Sequence, residues 1–237
     1  MKKKVAIIQS NYIPWKGYFD IINEVDLFIF HDDLQYTKQD WRNRNKVKTE
    51  HGTKWLTVPV GRQSTDRLIC EVTISERNWG GKHWRIIKQL YQKAPFFKMY
   101  ESIFEDIYTQ KTWLYLSELN QYMIKYISTN ILKIKTVFDD SRNYSPKGSK
   151  TERLIHILTK AGATSYLSGP AAKNYLDEAL FKEADIELIY KNYSGYPAYP
   201  QFHPPFIHEV TILDLLFHVG PEAPYYIWGW RSKSAYK

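Results

Sequence analysis

Apolar positions along this chain follow two rhythms, short continuous runs and longer stretches with helical spacing, and the two alternate. Val5-Ala-Ile-Ile8 predicts a buried strand reaching Gln9. After a turn holding Pro14 and Gly17, Tyr18 to Glu24 predicts a helix. Leu27-Phe-Ile-Phe30 predicts the next strand, with His31-Asp32-Asp33 at its carboxyl end. Trp55-Leu-Thr-Val58 reads as a third strand stopped by Pro59, and Ile69 to Ile74 alternates like a half-exposed strand. From Trp79 to about Ile134 the spacing is helical, as in Trp84, Ile87, Leu90 and Tyr91. Lys133 to Phe138 is short and β-branched. Thr151 to Lys160 predicts an amphipathic helix with Ser149 as its cap and Gly162 as its stop. Ser165 to Ser168 and Ile186 to Tyr190 predict further strands, and Asp214 opens a packed C-terminal helix.

Strands alternating with helices predict an α/β fold with a mainly parallel sheet, begun by a strand-turn-helix of nucleotide-binding type. One α/β domain over residues 1–237 is expected, with the helical block of about 79–134 as an insertion. Asn192 to Pro205, rich in proline and tyrosine, is too long for a mere connection and is expected to wall a site.

Composition narrows the class. At 237 residues and 43% hydrophobic the chain can bury a sizeable core. The single Cys70 excludes an internal disulfide, and Met-Lys-Lys-Lys enters the first strand without a secretory pattern, so a cytoplasmic protein is expected. No apolar run approaches the roughly 18 residues of a transmembrane segment. A net charge of +8 points to an anionic partner, and 19 Tyr with 8 Trp offer faces for bases or sugar rings as well as core filling.

Candidate chemistry gathers at predicted strand ends. Asp32 and Asp33 offer hard oxygens to a cation such as Mg²⁺ bridging a diphosphate, the one cofactor suggested here, and His31 beside them is the best-placed general base. Trp41-Arg-Asn-Arg-Asn-Lys46 pairs a ring face with planar forks suited to phosphate, so Trp41, Arg42, Asn43 and Arg44 are candidate binding residues; a solvated helix start is the plainer reading. Lys147 and Lys150 flank Gly148-Ser149 at a helix start, where backbone N–H groups favour anions. Ser168 and Gly169 end a strand in the same crevice, and Tyr199 and Gln201 belong to the long loop; turn chemistry and core cover are the plain alternatives. The histidines form no zinc pattern, and neither a Gly-x-Ser-x-Gly elbow nor a dinucleotide glycine fingerprint is present.

Gln9 with Tyr12-Ile-Pro-Trp-Lys-Gly-Tyr-Phe19, Asp32-Asp33-Leu-Gln35, Trp41-Arg-Asn-Arg44, Trp55-Leu-Thr-Val-Pro59, Tyr166-Leu-Ser-Gly169, Tyr175-Leu176, Tyr199-Pro-Gln201 and Asp214-Leu-Leu-Phe217 resemble the WbqC-like family in order along the chain. Ser10 departs from it where Pro is expected. Gln9 and Asn11 are expected at the site because they follow the carboxyl end of the first strand of an open parallel sheet; the resemblance implies a role in bacterial surface polysaccharide, including O-antigen, and adds Tyr12, Trp15, Tyr18 and Gln35 to the expected binding residues. Pro14-Trp-Lys-Gly-Tyr18 and Lys147-Gly-Ser-Lys-Thr151 also resemble, more faintly, nucleotide-binding enzymes with a His-x-Gly-His signature, but the histidines are replaced by aromatic residues. The function expected is a transferase acting on a nucleotide-linked amino sugar by acyl or aminoacyl transfer, the acyl part resting on the resemblance alone. The alternatives are an ATP-dependent nucleotidyl or adenylate-forming enzyme and a non-catalytic binder of anionic glycan or nucleic acid. The expected partner is a nucleotide-linked sugar or another phosphate-bearing small molecule, with nucleic acid disfavoured and a homo-oligomer allowed.

Overall fold

In the computed structural model, which describes residues 2–62 and 64–231, the apolar runs form one parallel sheet. Its strands are β1 (Lys4–Ile8), β2 (Leu27–Phe30), β5 (Val137–Asp140), β6 (Ser165–Ser168) and β7 (Glu187–Tyr190), in the order β5-β2-β1-β6-β7. Every neighbouring pair is parallel, with Val5 beside Leu27 on one side and Tyr166 on the other. In chain order these are the third, second, first, fourth and fifth strands of the sheet. The path therefore reverses between β1 and β6, and such a reversal opens a crevice at the carboxyl ends of the strands.

Alternating side chains divide the core into two layers. Ala6, Phe28, Phe30 and Leu167 face one layer, with Phe19, Ile21 and Ile22 of α1 (Lys16–Asn23). Val5, Ile7, Leu27, Ile29 and Tyr166 face the other, against Leu154, Ile157 and Leu158 of α5 (Lys150–Lys160) and Phe181 of α6 (Glu178–Glu183). Helices on both faces explain why β2 is apolar at every position instead of alternating.

The helical block is α2 (Trp79–Tyr91), α3 (Phe97–Glu105) and α4 (Leu116–Tyr126), with π-turns at Asp106–Gln110 and Ile127–Ile131. Its buried Trp84, Phe97, Phe104 and Met123 join the first layer, as do Leu213, Leu216 and Phe217 of the C-terminal α7 (Ile212–Val219). Among the described residues no helix is long and apolar enough to cross a membrane.

The segments expected as strands at Trp55 and at Ile69 both fall outside the parallel sheet. Trp55 to Thr57 lies outside the parallel sheet, in β4 (Gly52–Thr57), which pairs antiparallel with β3 (Arg44–Thr49) as a hairpin of its own. Asn45 and Val47 are buried while Arg44, Lys46 and Thr49 are not, so the basic run is a two-sided strand and not a helix start. The segment Ile69 to Ile74 is no continuous strand. Ile69–Glu71 is a 3₁₀ turn, which buries Ile69 and Val72 three residues apart, and Ile74 and Thr73 make only single bridges to Val60 and Tyr115.

Two buried histidines tie this frame to pH. His83 on α2 faces the Thr57 carbonyl through Nε2 at 3.2 Å and the Tyr12 hydroxyl through Nδ1 at 2.8 Å. A carbonyl only accepts, so Nε2 carries the proton and Nδ1 accepts from Tyr12, which is also 2.8 Å from the Tyr108 hydroxyl. Burial lowers the pKa of His83 to about 4, against the pull of the Thr57 carbonyl, and burial first of all lowers that of His31 to about 4 as well. The unfolded chain then binds more protons than the folded one from about pH 6.5 down to about pH 4, so stability falls as pH falls through that window. His83→Gln retains an acceptor for Tyr12 and a donor for Thr57. It is expected to lose about 2 kcal/mol less than the parent between pH 7 and pH 5, measured by urea denaturation; parallel losses in the two proteins would remove His83 as a cause.

Candidate functional site

A cavity of about 990 Å³ opens at the β1/β6 reversal. Its floor comes from Ile7, Ile8 and Gln9 at the end of β1 and from Ser168 and Gly169 at the end of β6. Lys150 and Arg153 of the first turn of α5 form one side, and Trp15, Trp41 and Tyr193 form the other. Both the volume and the mixture of ring faces with a few polar groups suit a small-molecule site.

Gln9 and Asn11 are held by one side chain. The Arg42 guanidinium donates through Nη2 to Gln9 Oε1 and through Nη1 to Asn11 Oδ1. Arg42 is fixed in turn by an ion pair with Asp40 at 3.6 Å, and its carbonyl accepts from Asn120 Nδ2 at 2.8 Å. With their oxygens occupied, both amides keep N–H groups to donate. The Tyr18 hydroxyl donates to the Gln9 carbonyl at 2.9 Å, which fixes the same segment from α1.

Trp15 reaches the cavity because Gly17 makes room for it. A Cβ on Gly17 would stand 2.2 Å from the indole, so Gly17→Ala is expected to push Trp15 off its place. Ligand affinity should fall about tenfold, equal to about 1.4 kcal/mol, with the fold retained. Calorimetry showing undiminished affinity would mean that Trp15 contributes no wall. Trp15 packs against Tyr193 and Tyr196 with ring centroids 5.1 and 5.9 Å away, and the long loop lines the cavity through Tyr193.

His31, Asp33 and Arg153 form a cluster at the cavity edge. Arg153 donates through Nη2 to Asp33 Oδ2 at 2.5 Å and through Nε to His31 Nε2 at 3.3 Å. His31 lines the cavity as a neutral imidazole, but the nitrogen that accepts is already engaged by Arg153. As a general base it would first have to be released by that guanidinium.

Asp32 is fully buried and does not line the cavity: its oxygens accept from the Ser10 amide at 2.8 Å and from Gln121 at 3.0 Å, and burial pushes its pKa up. Asp33 accepts from Arg153 and the Ser141 hydroxyl. Carboxylates so engaged do not present the open oxygens that a Mg²⁺ ion needs, and among the described residues no three His, Cys, Asp or Glu side chains group to hold a metal. Tyr12 is buried on His83, and Asn43 is buried, donating to the Val58 carbonyl at 2.9 Å. Gln35 donates to the Thr65 carbonyl at 3.0 Å, away from the cavity. Arg44 lies over the Trp55 ring at 4.2 Å, and Lys147 is exposed and outside the lining. Tyr199 and Gln201 both donate to the buried Asp214, at 2.7 and 2.8 Å, and belong to the C-terminal core.

Thus Gln9, Asn11, Trp15, Tyr18, His31, Trp41, Lys150, Ser168 and Gly169 are brought to one cavity, with Arg42 behind two of them. Arg153 and Tyr193 were not anticipated. Arg153 had a signal: it follows Lys150 by three residues on a helix, hence on the same face. Tyr193 had none beyond membership of the long loop.

The chain is 45% identical over 226 residues to an uncharacterized protein of Mycobacterium tuberculosis, Rv1507c, an alignment covering 95% of this chain and 97% of that one. No solved structure matches the chain. The family match runs over residues 9–226, from Gln9 on the cavity floor to beyond α7, and with a relative aligned nearly end to end it shows that the chain belongs to the WbqC-like protein family.

Proposed function

We propose that the cavity at the β1/β6 reversal binds a nucleotide-linked sugar and that the protein is a transferase of surface polysaccharide assembly acting on it. The observation that carries this reading is the joint placement of Trp15, Trp41 and Tyr193, Lys150 and Arg153, and the Arg42-held amides around one 990 Å³ space. Ring faces suit a base or a sugar, cations at a helix start suit a diphosphate, and fixed amides suit hydroxyl groups. The overall charge of +8 draws an anionic ligand toward the crevice. The sugar modification that we favour is transfer of an acyl or aminoacyl group to an amino sugar, which rests on the family resemblance.

Binding to the folded state raises apparent stability. Thermal denaturation with uridine, thymidine and guanosine diphosphate sugars, ATP and a generic oligonucleotide, each at two salt concentrations and with or without Mg²⁺, tests the reading. Stabilisation by one class of nucleotide sugar above the others is expected. Oligonucleotide binding as tight as that of any sugar nucleotide, steeply weakened by salt and indifferent to Mg²⁺, would make the protein a polyanion binder instead.

A further inference from the structure

A second cavity, of about 230 Å³, adjoins the first and is lined by Asn11, Pro14, Trp15, Trp41, Asn45 and Glu209. Asn11, Trp15 and Trp41 line both spaces, so these three side chains stand between them. The electrostatic character changes across that wall. Lys150 and Arg153 line only the large cavity, and the exposed Glu209, which lies near enough to the Lys16 ammonium to interact with it, lines only the small one.

The outer wall of the small cavity is braced from the hairpin. Trp41 is 41% and Trp55 39% exposed, with ring centroids 5.3 Å apart. Arg44 and Lys46 of β3 lie over the Trp55 ring at 4.2 and 5.1 Å, holding it against Trp41. Two neighbouring indoles left partly in water, one of which lines the cavity, form an exposed apolar surface, and such surfaces mark binding sites.

We propose that this small cavity is a subsite for a single pyranose ring, neutral or amine-bearing, that belongs to a second substrate. That it is the second substrate rests on the nucleotide-sugar reading of the larger cavity. A pyranose has an apolar C–H face for Trp15, Pro14 and Trp41, and a polar edge for the Asn11 amide and Glu209. The volume, below the usual range for drug-sized ligands, holds about one ring. Glu209 repels phosphate and carboxylate groups, so the subsite discriminates against the anionic ligand that suits the cavity next door. A hydroxyl or amino group of the ring would face the larger cavity across the Asn11, Trp15 and Trp41 wall.

The test follows the indole N–H resonances of Trp41 and Trp55, assigned with Trp41→Phe and Trp55→Phe, during titration with methyl glycosides of glucose, galactose, glucosamine and glucuronic acid. Saturable shifts are expected with the glucosaminide and at least one neutral glycoside, weaker with the glucuronide, and persisting when a stabilising nucleotide sugar is present. Glu209→Gln should weaken the glucosaminide about tenfold, equal to about 1.4 kcal/mol, with nucleotide-sugar binding unchanged. No shift with any glycoside at tens of millimolar, displacement of the glycoside by the nucleotide sugar, or an unaltered glucosaminide affinity in Glu209→Gln would each overturn the subsite. Glycoside binding as expected, in a protein that no nucleotide sugar stabilises, would leave the subsite standing and sink the reading of the larger cavity instead.

Discussion

Asp20→Ala is expected to destabilise the protein by about 3–5 kcal/mol, the usual cost of breaking a buried ion pair from one side. Asp20 on α1 is 1% exposed and collects Lys191 at 2.9 Å, Arg231 at 2.8 and 3.0 Å and the Tyr196 hydroxyl at 2.5 Å. Removing the carboxylate leaves the buried Lys191 ammonium with Glu24 as its acidic partner at 2.6 Å, and takes the acceptor from Tyr196. At this chain length the loss corresponds to a fall in melting temperature of roughly 10 °C. Combining Asp20→Ala with Lys191→Met should cost less than the sum of the two single changes, because the second removes the buried charge that the first deprives of one of its two carboxylates. A melting temperature within about a degree of the parent, equivalent to less than about 0.5 kcal/mol, would show that water replaces the carboxylate without penalty. The effect should also reach the site, since Tyr196 packs on Trp15.

Arg42→Ala is expected to lower affinity for the cavity ligand about 30- to 100-fold while the fold persists, from the loss of two charge-assisted hydrogen bonds that aim Gln9 and Asn11. Arg42→Lys should recover little, because one ammonium cannot reach both amide oxygens with the geometry of a planar fork. Calorimetry with the most stabilising nucleotide sugar, beside a denaturation curve for each variant, checks both statements. Equal affinity in all three proteins would show that the amides need no clamp. Arg44 carries no such expectation, because it is stacked on Trp55 outside the cavity lining.

The parallel sheet was legible in the chain because a strand covered on both faces must be apolar at every position, and Val5 to Ile8 and Leu27 to Phe30 are. The turn after the first strand was legible because Pro14 and Gly17 restrict and release the backbone at fixed places. Those two local signals locate Gln9, Asn11 and Trp15 at a strand end. They do not say which strand lies beside β1, and the cavity exists because β6, more than 150 residues later in the chain, pairs with Lys4 and Val5. Long-range pairing of this kind leaves no periodicity to read.

The same separation explains the hairpin and the acidic pair. Arg44 to Thr49 carries three cations and one amide that fit a solvated helix start as well as a strand, and only pairing with β4 decides which of them are buried. Asp32 and Asp33 look alike in sequence, but Ser10 and Gln121 bury the first, while Arg153 holds the second at the cavity edge. Residue type and local spacing thus determined which side chains could carry chemistry and which strand ends would present them. Tertiary packing decided which carboxylates stay open, which arginine aims the amides and where two cavities meet, because each depends on partners far along the chain whose positions are set by burial of the core as a whole.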